Sequence, residues 1–226
     1  GMGRVVASIA HEIRNPLGII SSSAQFLLDR SKDEKAGTNK ILQAIYDEAK
    51  RLTRTVGDFL DYARPKQPKQ DSVRVEMLLN QALSFLMPEL EARKVEVLRV
   101  DEDDGEFLAI GDKDLLYRAV YNIISNAMQA MERGGVLSIS LKRLPADKKD
   151  SGKISISFQD SGPGFPKENM GKLLDPFFTT KDDGTGLGLP IVNNIISGHG
   201  GSLELFNAPE GGAVAHVTLP GVKRQD

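Results

Sequence analysis

The chain has 226 residues, 40% hydrophobic and 27% charged, with a formal net charge of -2 and no cysteine. Those proportions describe a globular chain large enough for one large domain or two small ones, and they exclude a nucleic-acid footprint, a disulfide framework and a thiolate metal site. No apolar run approaches the roughly 20 residues a bilayer span requires, and no charged segment leading into an apolar one opens the chain. A cytoplasmic fragment without membrane contact of its own is expected. Gly1-Met2 reads as an internal start, which leaves room upstream for a sensory or membrane region.

From Val5 the apolar residues Ile9, Ile13, Leu17, Ile20, Ala24, Leu27 and Leu28 recur mostly at steps of three and four, which predicts a helix to about Asp29. Pro16 should bend it, because proline removes a backbone donor and crowds the preceding turn. Within that helix Ser8 to Ile19 read SIAHEIRNPLGI. His11 and Asn15, four residues apart, share a face, with Glu12 beside them. A neutral imidazole can attack an electrophile through its lone-pair nitrogen, and a neighbouring carboxylate fixes the tautomer and stabilises the cation that forms. Taken alone, an ordinary exposed helical histidine is the commoner explanation of such a patch.

Ser31 to Thr38 reads as a turn. A second amphipathic helix follows through Ile41, Ile45, Leu52, Val56, Phe59 and Leu60 to about Ala63. A two-helix hairpin cannot bury both apolar stripes, whereas two hairpins paired as a four-helix bundle can, so a homodimer is expected. Arg64 to Gln70, with two prolines among polar residues, has the composition of a linker. Beyond it the pattern predicts a helix over Glu76 to Lys94 interrupted by Pro88, and another over Asp114 to Glu132. Strands are predicted at Val95 to Val100, Leu137 to Leu141, Ile154 to Phe158, Leu203 to Phe206 and Val214 to Leu219. Helices and strands so arranged indicate an α+β sandwich, one sheet covered by a helical layer.

Four stretches of this second region carry chemistry. Asp160-Ser-Gly-Pro-Gly164 follows a strand directly, so a carboxylate stands before two glycines that permit close backbone approach, a geometry suited to a flat base. A carboxylate accepts from an exocyclic amine such as adenine's and not from guanine's carbonyl edge; a plain turn is the competing explanation. Gly184-Thr-Gly-Leu-Gly-Leu189 leads into a helix with Pro190 in its first turn, and the free N-H groups there suit phosphates. It is neither a dinucleotide fingerprint nor a Walker loop. Asn122 and Asn126 lie four apart on an apolar helix, either as ligands for a hard cation that also holds phosphate oxygens or as two amides bonded to backbone. Phe165 to Asp183 reads as a long irregular lid, with Phe177 and Phe178 as anchors and Lys181 able to reach a terminal phosphate.

In this order the motifs resemble those of the sensor histidine kinases of two-component signalling: an H-box at His11, an N-box from Asn122 to Asn126, a G1-box from Asp160 to Gly164, an F-box at Phe177-Phe178 and a G2-box from Gly184 to Leu189. The resemblance implies an all-α dimerisation and phosphotransfer hairpin over residues 1–64, a linker over 65–70, and an α+β sandwich of the Bergerat ATPase type over 71–226. It further implies ATP and Mg2+ as cofactors, a homodimer, and a response regulator receiver domain as partner. His11 would accept the phosphoryl group, Glu12 would be its acid/base, and Asn15 would position water in a reverse phosphatase reaction. Asn126 with Asn122 would hold magnesium, Asp160 would bind the adenine amine, and Gly162 and Gly164 would line the base. Thr185, Gly186, Leu187 and Gly188 would meet the phosphates. The whole protein would carry an upstream sensor region, membrane-anchored in many such kinases. Gln129 and Ala130 stand where many members have a basic residue and an aromatic, with Arg133 a candidate for the missing charge, and Ala213 departs from a common Gly-Thr pair. The hydrolytic relatives place a glutamate base where this chain has Asn122, which argues against a simple ATPase.

Overall fold

The computed structural model describes residues 13, 17–29, 36–63, 66–101, 106–145, 152–181 and 184–222. The chain divides into two compact units, Gly1–Lys66 and Gln67–Asp226. His11, Glu12 and Asn15, with Pro16 and Arg64, lie outside the described residues.

The first unit contains helix α1, residues 17–29, and helix α2, Ala36–Ala63. Leu17 and Ile20 of α1 line one apolar groove with Ile41, Ala44, Ile45 and Leu52 of α2. Ala24 and Ala49 are buried, while Ile20, Ile41, Ile45 and Leu52 stay exposed, as expected of amphipathic helices with a stripe left uncovered. Of the turn expected over Ser31 to Thr38, residues 36–38 are helical, since α2 begins at Ala36, and residues 31–35 lie outside the described residues. Alanine is the strongest helix former, and the glycine and threonine after it fall in the first turn, where propensity matters least.

The second unit is built on two sheets. Strands β1 (Asp71–Arg74) and β3 (Leu108–Gly111) pair antiparallel. The main sheet has the order β2 (Val95–Asp101), β4 (Gly135–Leu144), β5 (Lys153–Asp160), β7 (Ala213–Pro220), β6 (Ser202–Asn207). Its β2 and β4 run parallel and every other pair antiparallel. The pleat sorts residues by face: Leu137, Ile139, Leu141, Ile154, Ile156, Phe158, Val217 and Leu219 are buried, and Ser138, Ser140, Ser157, His216 and Thr218 alternate with them. Helices α3 (Val75–Ala92), α4 (Lys113–Ala130) and α5 (Gly188–Gly198) cover the apolar face, and α4 packs against both other helices. Leu78, Leu116, Val120, Ile123 and Ile196 of the helices meet Ile156, Phe158 and Val217 of the sheet around one small internal void. Each fully buried side chain of this size contributes about 1.5–3 kcal/mol relative to exposure.

Pro88 does not interrupt α3, which continues to Ala92. Leu78, Leu79, Leu86 and Leu90 are buried along one stripe, and Pro88 and Ser84, whose carbonyl loses its partner, are both exposed, so the freed carbonyl belongs to the solvent side of the helix. Among the described residues of the segment from Phe165 to Asp183, the regular piece is a 3-10 helix over Lys167–Lys172.

A buried polar knot fixes the start of α4. Asp112 is its N-cap, with Oδ1 accepting from Asp114 N at 3.0 Å and Leu115 N at 3.2 Å, while Oδ2 accepts from Lys69 N at 3.3 Å. Burial would raise this carboxyl, but the amides of Leu115, Lys69 and Asp114 outweigh it and hold it below the usual aspartate range. The Asp112 amide donates to His199 Nε2 at 2.9 Å, so the proton is on Nδ1, which donates to Ile195 O at 2.7 Å. His199 is thus a structural residue joining the end of α5 to the start of α4. His216 is half-buried with Nε2 3.3 Å from Ser155 Oγ.

Candidate nucleotide-binding site

Asp160 is the last residue of β5 and points to the helical face, since it alternates in phase with Ile156 and Phe158. Only 6% exposed, it accepts from Gly162 N at 2.9 Å and from Ala213 N at 3.1 Å. Both bonds fall on Oδ1, and Oδ2 takes none among the described residues. Burial pushes the carboxyl up, while the amides of Ala213 and Gly162 and the charge of Lys181 pull it back. The result is a fixed, dry carboxylate with one oxygen left to read a donor.

The glycines around it are required by contact. A side chain at Gly162 would meet Asp160 Oδ1 at 2.9 Å and Ala130 O at 3.2 Å, so this turn lies against the end of α4. Gly212 has φ +85°, and a Cβ there would collide with the Asp160 carbonyl. The loop is then clamped from outside: Asn207 Oδ1 accepts from Phe165 N at 2.7 Å and Asn207 Nδ2 donates to Phe165 O at 2.8 Å.

Asn126 reaches the start of α5. A Cβ on Gly188 would lie 3.3 Å from its amide nitrogen, a contact tight enough that the Asn126 amide would have to shift by a few tenths of an ångström. Asn122 sits one turn earlier, and both amides are half-buried without a hydrogen bond among the described residues, so the bonded-to-backbone alternative is not what the helix adopts. The first residues of α5 are uncapped: Leu187 makes no side-chain cap, and Pro190 occupies the first turn. Amides at the positive end of a helix dipole therefore face the site beside Asn126. Thr185 Oγ1 accepts from Leu187 N at 3.4 Å, which shapes the approach.

The F-box segment joins this loop through its backbone. Phe177 has φ +66°, its N-H donates to Gly186 O at 3.0 Å, and a Cβ on Gly186, itself at φ +65°, would strike the Phe177 backbone. The ring of Phe177 is 55% exposed, so the anchoring runs through main chain and not through burial of the ring. Phe178 is half-buried, with its amide donating to Asp175 O at 3.2 Å. Lys181, three residues on, donates from Nζ to Gln129 Oε1 on α4 at 2.9 Å. Desolvation of the ammonium and the nearby Arg93 guanidinium push it below the usual lysine range, against the pull of Asp160.

The observed contacts tie Gly162 to Asp160, Phe177 to Gly186 and Gly188 to Asn126, with Lys181 held on α4, while Asn122, Gly164, Phe178, Thr185 and Leu187 lie on the same helices and loops. Sequence reading passed over Asn207, the Ala213 amide, Gly212 as a backing for Asp160, and the acceptor role of Gln129. Among the described residues no three His, Cys, Asp or Glu side chains cluster as a metal cage.

Residues 111–223 match the histidine kinase-, DNA gyrase B- and HSP90-like ATPase family, and residues 2–68 match the His kinase A phospho-acceptor domain. The chain belongs to the histidine kinase-type ATPases and, with both domains in this order, to the two-component sensor histidine kinases. The sensor histidine kinase ZraS of Salmonella typhimurium is 32% identical over 99% of this chain and 47% of its own length. Sporulation kinase C of Bacillus subtilis is 31% identical over 96% and 48%. This chain thus spans about half the length of the curated relatives it matches. The solved structure of full-length ShkA in complex with AMPPNP shares the fold, with a TM-score of 0.81 and 23% identity over 99% of this chain and 47% of that one. Histidine kinase ThkA in complex with response regulator protein TrrA aligns with a TM-score of 0.68 and 25% identity over 100% of this chain and 63% of that one. Among the described residues no helix is long and apolar enough to cross a membrane.

Proposed function

We propose that this chain is the kinase core of a sensor histidine kinase, binding ATP in the second unit and transferring its γ-phosphoryl group to His11. The observation that carries the nucleotide half is Asp160, fixed by two backbone amides with Oδ2 open beside the glycine-backed turn. An acceptor so placed takes the adenine amine. The uncapped start of α5, with Thr185, Gly186, Leu187 and Gly188, holds the phosphates, and Lys181 meets the terminal one. The free amides of Asn122 and Asn126 fit a Mg2+ ion that is held by one or two protein ligands and by phosphate oxygens, the usual way that ion is bound, and the ion would supply charge neutralisation on the phosphates.

The domain roles follow: residues 1–64 the dimerisation and phosphotransfer hairpin, 65–70 the linker, 71–226 the ATP-binding domain. The exposed apolar stripe shared by α1 and α2 supports pairing of two chains into a four-helix bundle. Glu12 accepts the proton from the second imidazole nitrogen as the first attacks in line, so that positioning and charge neutralisation carry the transfer. The group then passes to an aspartate of a response regulator receiver domain, and Asn15 positions water when the reaction runs as a phosphatase. An upstream sensor region, membrane-anchored in the whole protein, belongs to the same reading.

Incubation with γ-labelled ATP and Mg2+ tests this. Wild-type chain takes up acid-labile, base-stable label and His11→Gln takes up none. Absence of label from wild type, or its persistence in the variant, overturns the proposal.

A further inference from the structure

Gln129 stands three residues beyond Asn126, near the end of α4. Its two amide atoms are both engaged: Nε2 donates to Ser125 Oγ at 3.2 Å, and Oε1 accepts from Lys181 Nζ at 2.9 Å. The lysine orients the amide, since an ammonium only donates and must meet the oxygen, which turns the nitrogen toward Ser125. The bond to Oε1 holds a lysine brought from 52 residues away in sequence. Lys181 is also tethered at its own backbone, where its N-H donates to Thr179 Oγ1 at 3.1 Å. The cation is thus held from both ends beside α4, and nothing in the motif pattern assigns Gln129 a task.

We propose that Gln129 is a positioning residue that presents the Lys181 ammonium to the terminal phosphate of the bound nucleotide, so that the site distinguishes ATP from ADP. The inference rests on the reading of this lobe as an ATP site. A neutral acceptor is the side chain the geometry calls for. A lysine or arginine at 129 would set two cations about a hydrogen bond apart, and repulsion would drive the lid's charge away. An aliphatic residue would leave a four-carbon side chain free to sample many rotamers, and ordering it at the moment of binding costs affinity. The amide oxygen removes that ordering cost without neutralising the charge the phosphate needs. In this chain the site's cation is therefore carried by the lid, and α4 supplies its rest.

The test is equilibrium binding of ATP and of ADP, each with Mg2+, to the wild-type chain, Gln129→Leu, Lys181→Met, the double variant and Gln129→Glu. The cost of ordering the released lysine side chain on binding predicts that Gln129→Leu weakens ATP roughly 3- to 10-fold while leaving ADP within about 2-fold. The double variant binds ATP no more weakly than Lys181→Met alone, because both substitutions remove one coupled interaction. Gln129→Glu keeps an acceptor but neutralises the ammonium and sets a negative charge beside the phosphates, so it weakens ATP at least as much as Gln129→Leu. Equal weakening of ATP and ADP by Gln129→Leu, additive losses in the double variant, or unchanged ATP binding by Gln129→Leu overturns the positioning role. If wild-type chain binds neither nucleotide, the ATP-site reading falls and takes this inference with it.

Discussion

Asp160 shows how one side chain can be costly to the fold and necessary to the site. Burial raises its carboxyl, so the folded state holds that proton more tightly than the unfolded chain does. Its stabilising contribution is present below the unfolded value and is lost as pH rises through the folded one, which leaves a buried carboxylate as a net cost at neutral pH. Asp160→Asn keeps an oxygen for Gly162 N and Ala213 N and removes the charge. The variant should therefore melt at or above the wild-type temperature at pH 7, with its advantage shrinking as pH is lowered into the carboxylate range. It should also bind ATP about 10- to 150-fold more weakly, the effect of losing a charged hydrogen bond worth ~1.5–3 kcal/mol. Calorimetric melting with nucleotide titration checks both, and a variant that melts well below wild type at pH 7 while binding ATP normally contradicts the assignment. At this scale the sequence exposed Asp160 through the glycines that follow it. It hid Ala213, because a backbone amide contributed by a strand 53 residues away has no side-chain signature.

Helix α4 carries the site's amides on one side and the core's Ile123, Ile124 and Met128 on the other. Its position depends on Asp112, the cap that also takes the Lys69 amide. Asp112→Ala should cost about 0.5–2 kcal/mol of stability in denaturant. Because this carboxyl is held below its ordinary value, its contribution is present above the unfolded value and fades as pH falls through the folded one. The gap between wild type and variant should narrow in acid, and a gap independent of pH would show that the carboxylate is not the source. Elements of this kind were legible: α3, α4 and the five strands of the main sheet all announce themselves by period, because each buries one face. Strands β1 and β3 were not, since four residues with Val73 as the single buried position of β1 offer no alternation to read. Pro88 misled for a related reason. Proline's penalty is local, whereas the four leucines that hold α3 together are spread along it.

At the scale of the molecule, the division of labour between units was visible as a change of period after the prolines near residue 65, from two long amphipathic helices to alternating strands. The order of five motifs identified the class of machine. The particular wiring was not visible: the backbone bond between Phe177 and Gly186, the approach of Gly188 to Asn126, and the hold of Gln129 on Lys181 are made between segments whose spacing in sequence carries no trace of their meeting. The central claim joins the two units, holding that a base-reading carboxylate in one selects the nucleotide that phosphorylates the histidine of the other. The rate of label uptake from γ-labelled ATP compared with γ-labelled GTP at equal concentration tests it most directly. The account predicts labelling of wild-type chain from ATP at least ~10-fold faster than from GTP, since guanine offers Asp160 a carbonyl in place of the amine and leaves the buried carboxylate unpaired. Equal rates from the two nucleotides would contradict it.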